Sequence, residues 1–353
     1  MAPDPADADA WFALGRAHGL ARRHAEAEAA FRKVVELRPG MREAKVNLAM
    51  SLVYQGRHRE AIQVFAAARV PGDRSLNDVL LYSVLSALQG GEPPAAPLSD
   101  LGPLAPQPLV SVVLPTSNRP ALLRDALASL AGQSYADWEA VVVNDGGEDL
   151  RLPDAVAHKA SYCRLPERKG AAHARNLALR TARGAVIAFL DDDDIFLPQH
   201  LERLVAGLRA TGAAFAYTRS VAVEERLENG VRHELRRGYP YEYRYSRELL
   251  LVRSLMPPTT WGARREAFER CGGFDEALAW TEDWDMLLRL AGLGPFHQVP
   301  EITAEIRVRP GVADSSTRRL ELAPWCEKIY ARYPSGGDEL IELGRKIYLE
   351  TLA

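Results

Sequence analysis

Four consecutive aspartates, Asp191 to Asp194, are the part of this sequence best suited to chemistry. Carboxylates held side by side repel one another, and a hard divalent cation bound through oxygen relieves that repulsion. The run therefore predicts a site for a divalent metal ion. The alternative is that Asp193 or Asp194 only helps to cap the helix that follows it.

Polar residues also follow two apolar runs, at Pro115–Arg119 and at Asn144–Gly147. The apolar runs predict strands, and helical spacing predicts helices between them. Strands are predicted at 110–114, 139–143 and 185–190, and helices at 120–130, 172–182 and 198–209, the last with Pro198 at its first position. Alternating strands and helices indicate a doubly wound, mostly parallel sheet, in which ligands bind beyond the carboxyl ends of the strands.

A repeat of 34 residues organises the N-terminal third of the chain. Its members are Trp11, Leu14, Gly15, Ala27 and Phe31, followed one period later by Lys45, Leu48, Ala49, Ala61 and Phe65. This spacing resembles the tetratricopeptide pattern, and residues 75–88 resemble a further, degenerate first helix. Two interpretations stay open: a surface that binds a protein partner, or a packing module with no ligand of its own.

Glycine and proline are dense from Gly90 to Pro108, which is typical of a linker. The predicted organisation is therefore a tetratricopeptide-like all-α domain at 1–90, a linker at 91–108, an α/β domain at 109–320 and a helical tail at 321–353.

Five motifs occur in a fixed order between residues 109 and 312. They are SVVLPTSNRPALLRDALASLAGQSYADWEAVVVNDGG, GAAHARN, FLDDDDIFLP, GGFDE and TEDWDMLLRL. In this order they resemble the family 2 glycosyltransferases. The resemblance implies the GT-A fold, an α/β nucleotide-sugar-binding domain with a doubly wound mixed sheet. It also implies an inverting, metal-dependent sugar transfer from a nucleoside-diphosphate donor, with UDP slightly preferred.

The resemblance carries over individual roles. Asp193 is expected to bind Mn²⁺ or Mg²⁺ directly together with Asp191. The residues expected to bind the donor are Pro115, Thr116, Asn118, Asp145, Arg175, Asp191 and Asp192. The family's usual Asp-Asp-Gly-Ser is Asn-Asp-Gly-Gly at 144–147, which leaves Asp145 in place. An Asn-Asp-Gly-Gly turn without a ligand is the alternative.

Asp283 is the residue that the resemblance assigns as catalytic base. An inverting transfer needs a carboxylate that accepts the proton of the acceptor hydroxyl. The alternative is that 282–285 is only the acidic first turn of a helix. Arg307 and Arg309 fall where the family has a late loop over the diphosphate, and Arg309 stands where a histidine is common. A cation there would bind phosphate directly.

Composition excludes several other classes of protein. The net charge of −3 argues against a nucleic-acid binder, and three distant cysteines support neither a disulfide framework nor a zinc ribbon. No apolar run approaches the ~18 residues of a membrane span, so we expect a cytoplasmic protein.

The expected partners are a nucleoside-diphosphate sugar, a protein or glycan acceptor, and a protein bound by the repeats. A non-catalytic tetratricopeptide scaffold and a sugar nucleotidyltransferase are the alternatives. The second would need a Gly-rich basic loop after the first strand, where this chain has PTSNRP.

Overall fold

A computed structural model of the chain describes residues 4–68, 73–89, 99–228, 231–238, 244–309 and 322–352. Part of the predicted linker, at 91–98, lies outside these residues. Two compact units form, one from Met1–Gln89 with Ser335–Ala353 and one from Gly90–Pro334. Among the described helices, none combines the length and the apolar character needed to cross a bilayer.

The described helices are α1 (Ala8–Leu20), α2 (His24–Leu37), α3 (Arg42–Tyr54), α4 (His58–Ala68), α5 (Arg74–Ala87), α6 (Pro120–Ala131), α7 (Asp154–Ala157), α8 (Ala171–Thr181), α9 (His200–Thr211), α10 (Arg247–Leu250), α11 (Arg265–Cys271), α12 (Glu282–Leu290), α13 (Ala323–Arg332) and α14 (Glu339–Leu352). The described strands are β1 (Val110–Thr116), β2 (Trp138–Asn144), β3 (Ala160–Arg164), β4 (Val186–Phe189), β5 (Ile195–Phe196), β6 (Phe215–Glu228), β7 (Val231–Gly238), β8 (Trp261–Arg264) and β9 (His297–Val308).

The first unit consists of α1–α5 and α14, and its repeat residues lie at the helix contacts. Gly15 lets α1 approach α2 closely, because a Cβ atom there would come within 2.7 Å of the Phe31 ring. Ala61 and Phe65, one period after Ala27 and Phe31, are fully buried. The 34-residue spacing therefore reflects helical hairpins that cover one another's apolar faces. Helix α14 continues the stack, and the side chain of Asn77 on α5 donates a hydrogen bond to Glu350.

The second unit is built on one mixed sheet in the order β3-β2-β1-β4-β8-β6-β9-β5, with β7 paired to β6. Strands β3, β2, β1 and β4 are parallel to one another, and β8 is antiparallel to both β4 and β6. Val112, Leu114 and Ala140 from the strands pack with Leu127 of α6 and Leu204 of α9. Because β1, β2 and β4 are parallel, their carboxyl ends bring the three predicted polar segments to one edge.

The predicted start of the helix at Pro198 is wrong. The helix begins at His200, because Ile195 and Phe196 first pair with β9 as β5 and Leu197 donates its backbone N–H to Thr303. The chain therefore stays extended past the acidic run, and the backbone carbonyl of Pro198 accepts from Ser134.

Candidate active site

A cleft of about 580 Å³ opens beyond the carboxyl ends of β1, β2 and β4. Most of the site residues predicted from the sequence line it: Pro115, Thr116, Asp145, Arg175, Asp191, Asp192, Asp193 and Asp283. Residues outside the predicted set of site residues also line it, among them Arg119, Arg168 and Trp280. Of the described residues, Asn118, Arg307 and Arg309 are predicted site residues outside this lining.

The acidic loop is held by arginines. Arg119, which precedes α6, forms an ion pair of 2.7 Å with Oδ1 of Asp192 and one of 3.0 Å with Oδ2 of Asp193. The Thr116 hydroxyl at the end of β1 donates to Asp192 over 2.6 Å. Burial raises the pKa of Asp192 to about 7, although the charge of Arg119 acts in the opposite direction. Opposite charges from the protein therefore offset the repulsion within the aspartate run.

Asp194 is the buried end of the loop and supports its shape. It accepts a hydrogen bond of 2.6 Å from the Thr259 hydroxyl and one of 2.9 Å from the backbone N–H of Arg307. The Thr259 hydroxyl also accepts from the backbone N–H of Asp191. Burial raises the pKa of Asp194 well above its ordinary value, and the charges of Asp193 and Asp191 add to this. Thr259 therefore ties both ends of the run to the turn before β8.

Arg175 on α8 joins the acidic loop to the second acidic motif. Its guanidinium donates to Asp191 over 3.0 Å and to Glu282 over 2.8 Å, and its side chain is only 7% exposed. Within the described part of the chain, Nε of Arg175 and Oε2 of Glu282 are buried without a hydrogen-bond partner. One buried cation thus lies between carboxylates that follow β4 and carboxylates that begin α12.

Asp283, in the first turn of α12, contacts the cleft with a partly exposed side chain. Its carboxylate accepts from the backbone N–H of Trp284 over 2.7 Å. Dense surrounding protein raises the pKa of Asp283, and the nearby charge of Arg175 opposes that rise. Burial raises the pKa of the neighbouring Glu282 to about 7.

Asp285, two residues further, has a structural role. It is fully buried and accepts from Arg289, from Arg332 and from the Tyr333 hydroxyl. These bonds fix α12 to the segment that includes α13.

Asp145 holds the basic segment that precedes α8. Its two oxygens accept backbone N–H groups of Lys169 (2.6 Å) and Gly170 (2.8 Å), while its side chain stays in the cleft lining. Gly146 is required here, since its φ is +75° and a Cβ atom would lie 2.3 Å from the backbone nitrogen of Arg168. The Asn-Asp-Gly-Gly turn thus positions Arg168 and Gly170 at the cleft.

The predicted residues outside the lining have other partners. Asn118 is exposed, has a positive φ, and accepts from the backbone N–H of Glu148. Arg307 pairs with Glu225 and Glu305. Arg309 is buried and binds Asp193 over 2.7 Å and Glu225 over 2.9 Å. Arg309 therefore contacts the acidic loop through the carboxylate of Asp193 and lies outside the cleft lining.

The donor set of the acidic loop fits a metal ion that is shared with a ligand. Within the described residues, no group of three Asp, Glu, His or Cys side chains forms a protein cage for an ion. Asp191 and Asp193 are the partly exposed aspartates of the run and line the cleft. Mg²⁺ is commonly held by one or two carboxylates together with phosphate oxygens and water, which suits this pair.

Sequence reasoning missed Arg119, Thr259, Trp280 and Glu225 as parts of the site or its support. Arg119 had a signal, since it is the cation of PTSNRP at the end of β1. Glu225 had a weaker one, because it follows Val221 and Val223 at alternate, buried positions of a strand. Thr259 and Trp280 had no such signal, because only folding of the chain brings them close to the cleft.

Comparison with known proteins identifies both regions. Residues 111–272 match the model of glycosyl transferase family 2, and residues 8–41 match that of the tetratricopeptide repeat. A Bacillus subtilis strain 168 protein, named as the uncharacterized glycosyltransferase YwdF, is 28% identical over 253 residues, or 69% of this chain and 82% of that protein. For three further curated relatives the match spans only 62% to 64% of their own length.

Two solved structures share the fold. The mannosyltransferase PcManGT from Pyrobaculum calidifontis, in complex with GDP-Man and Mn²⁺, aligns with a TM-score of 0.53 at 18% identity, over 88% of this chain and 85% of its own. S. aureus TarS 1-349, in complex with UDP-GlcNAc, aligns with a TM-score of 0.50 at 19% identity, over 67% of this chain and 69% of its own. The GT-A mixed sheet expected from the sequence is thereby confirmed.

Proposed function

We propose that this chain, whose residues 111–272 match the model of glycosyl transferase family 2, transfers a sugar from a nucleoside-diphosphate donor to an acceptor hydroxyl or amide, with inversion and with the help of a divalent metal ion. One observation carries the proposal. A single cleft contains Asp191, Asp193 and Asp283, and the buried cation Arg175 binds the first of them and lies beside the last. The proposed metal-binding pair and the proposed general base therefore face the same space.

The donor's diphosphate is proposed to lie over the acidic loop. Asp191 and Asp193 would hold Mn²⁺ or Mg²⁺, which when bound neutralises negative charge on the leaving diphosphate. Arg119 and Arg168 add fixed positive charge to the same wall of the cleft. The loop is already held by Thr116 and Thr259, so little reorganisation is needed when the donor binds.

Asp283 is proposed as the base. Its carboxylate takes the proton of the acceptor group while that group's oxygen or nitrogen forms a bond to the anomeric carbon, and the bond from that carbon to the diphosphate oxygen breaks. A raised pKa makes a carboxylate a stronger base near neutral pH. The nearby charge of Arg175 opposes that rise and favours the ionised carboxylate, which is the form that can accept a proton.

The finer identity of the substrates is proposed from the motifs. Asp145 and Thr116 border the expected nucleoside position, and UDP is the preferred donor nucleotide on the resemblance of the ordered motifs. We propose a protein or glycan acceptor. The tetratricopeptide region would bind this acceptor or a protein partner.

Calorimetric titration with UDP and with GDP, each with and without Mn²⁺, tests the donor assignment. One nucleotide is expected to bind tightly only with Mn²⁺, and Asp193→Ala is expected to abolish the Mn²⁺ dependence. Asp154→Ala is the matched control, because that aspartate lies on α7 with a side chain 91% exposed. Metal-independent binding in the wild type, or equal loss in both variants, would refute the metal-binding role of the loop.

Asp283→Asn tests the base separately. We expect nucleotide affinity within twofold of wild type and a loss of about 10²–10⁴ in the rate of nucleoside-diphosphate release from the active sugar donor. A variant that keeps its transfer rate would remove Asp283 from the mechanism. Absence of any nucleotide binding in the wild type would favour the non-catalytic scaffold.

A further inference from the structure

Glu225 is a buried carboxylate at a position where a strand normally places an apolar residue. On β6, Val221, Val223 and Glu225 are alternate residues, and all three are at most 3% exposed. A charge buried in this way is costly unless other groups compensate it. Neighbouring groups must therefore compensate the negative charge of Glu225.

Those neighbours are arginines. Oε1 of Glu225 accepts from Arg309 over 2.9 Å, and Oε2 accepts from Arg307 over 2.8 Å. Arg232 on β7 approaches Oε2 to 3.6 Å. The Arg232 side chain is 15% exposed, and burial lowers its pKa. Glu225 is therefore the anionic centre of a buried cationic cluster.

The strand register brings this cluster to the acidic loop. Strands β6 and β9 run parallel with Glu224 opposite Val308, so Glu225 comes opposite Arg309. An irregularity in the pairing of β6 with β7 falls between Glu224 and Glu225, and such bulges re-aim side chains beside active sites. The other end of the Arg309 guanidinium then reaches Oδ2 of Asp193.

Asp193 already has another guanidinium at that oxygen, since Arg119 binds Oδ2 over 3.0 Å. A carboxylate paired with two guanidinium groups is a weaker ligand for a cation, because the arginines compete for the same negative charge. The strength with which Arg309 pairs with Asp193 therefore bears directly on metal binding.

We propose that Glu225 is a positioning residue for the metal-binding loop: by sharing Arg309, it limits how far that arginine neutralises Asp193. The inference rests on the proposed function, in which Asp193 holds the metal ion. Glu225 itself touches neither metal nor substrate. It acts through Arg309, and its effect must disappear when Arg309 is removed.

Glu225→Gln tests this by removing the charge while keeping the size of the side chain. Titration of the full chain with UDP in the presence of Mn²⁺ is expected to show at least tenfold weaker Mn²⁺-dependent binding. UMP binding without metal is expected to stay within twofold. The matched control is Glu305→Gln, because Glu305 is 7% exposed and its described partners are Arg307 and Arg237. The affinities of Glu305→Gln for UDP with Mn²⁺ and for UMP without metal are expected to stay within twofold of wild type.

A double-mutant cycle with Arg309→Gln separates positioning from general destabilisation. In the Arg309→Gln background, the added Glu225→Gln change is expected to alter Mn²⁺-dependent binding by less than twofold. An undiminished effect in that background, or equal losses in Glu225→Gln and Glu305→Gln, overturns the proposal.

Thermal unfolding of each variant is measured alongside the titrations. If Glu225→Gln does not fold, Glu225→Asp replaces it, and a change of less than twofold in Mn²⁺-dependent binding then overturns the proposal. If the wild-type protein binds no nucleotide in the presence of metal, the proposed function fails. If the wild type binds and the Glu225 variants bind equally well, only the role of Glu225 fails.

Discussion

Arg175→Met probes the buried cation that connects the two acidic motifs of the cleft. The change removes the ion pairs to Asp191 (3.0 Å) and Glu282 (2.8 Å) but keeps an unbranched apolar stem. The side chains of Arg175 and Glu282 are 7% and 9% exposed, so solvent screens their interaction only weakly. Glu282 and Asp283 would be left in the protein interior without this countercharge.

The loss of unfolding free energy in Arg175→Met should grow with pH. Removing one partner of a buried ion pair typically costs about 3–5 kcal/mol. The pKa of Glu282 is already raised to about 7 by burial, and loss of Arg175 raises it further. Below pH 7 the group is protonated in both proteins, so we expect a deficit of about 1–3 kcal/mol from the lost hydrogen bonds. Above pH 7 the variant keeps a proton that the wild type releases, and the deficit grows by up to about 1.4 kcal/mol per pH unit.

Urea unfolding at pH 6 and pH 8.5, followed by tryptophan fluorescence, measures this difference. Five of the six tryptophans, all except Trp11, lie in the second unit, so the signal reports mainly on the unit that contains Arg175. Arg183→Met is the control, because Arg183 pairs with Glu139 through a side chain that is 75% exposed. Glu139 is buried but keeps the Ser111 hydroxyl and the backbone N–H of Arg183 as donors, so we expect this change to cost less than Arg175→Met at pH 8.5.

Two results would refute the reasoning. The first is a deficit for Arg175→Met that does not grow between pH 6 and pH 8.5. The second is a deficit at pH 8.5 no larger than that of Arg183→Met. Either would mean that Arg175 does not act as the countercharge of the buried carboxylates.

Three further changes test other parts of the site. Glu282→Gln removes the negative charge that Glu282 carries beside Asp283 above its pKa of about 7. The part of the acid limb of the kcat/KM–pH profile that lies above pH 7 should therefore move to lower pH, and a shift to higher pH contradicts this. Gly146→Ala should destabilise the second unit more than Gly272→Ala. Both glycines have positive φ, but only at Gly146 would a Cβ atom meet the backbone of Arg168. Equal changes in Tm would show that backbone strain alone matters. Thr259→Val should cost about 1–3 kcal/mol of unfolding free energy, because buried Asp194 loses a hydrogen-bond donor. Thr260→Val should cost less, because the Thr260 hydroxyl donates to the neutral carbonyl of Pro257. The reverse order would argue against a role for Thr259 in holding the loop.

The position of the cleft and most of the residues that line it could be predicted from the sequence alone. Apolar runs that end in polar segments marked the carboxyl ends of β1, β2 and β4, because parallel strands must end at the same edge. The 34-residue spacing likewise determined the helical hairpins of the first unit, since it records contacts between neighbours in the chain. Such local and periodic signals are visible without coordinates.

The pairing of charged side chains, in contrast, could be seen only in the folded chain. Arg309 binds Asp193 across 116 residues of sequence, and Glu225 reaches Arg309 across 84. Neither pairing leaves a periodic trace, because both depend on the register of β6 with β9. The structure also moved Asn118 out of the cleft lining and began α9 at His200, where pairing with β9 outweighs the local preference of Pro198 for a helix start. Long-range pairing and burial, which no short window of sequence contains, set these contacts.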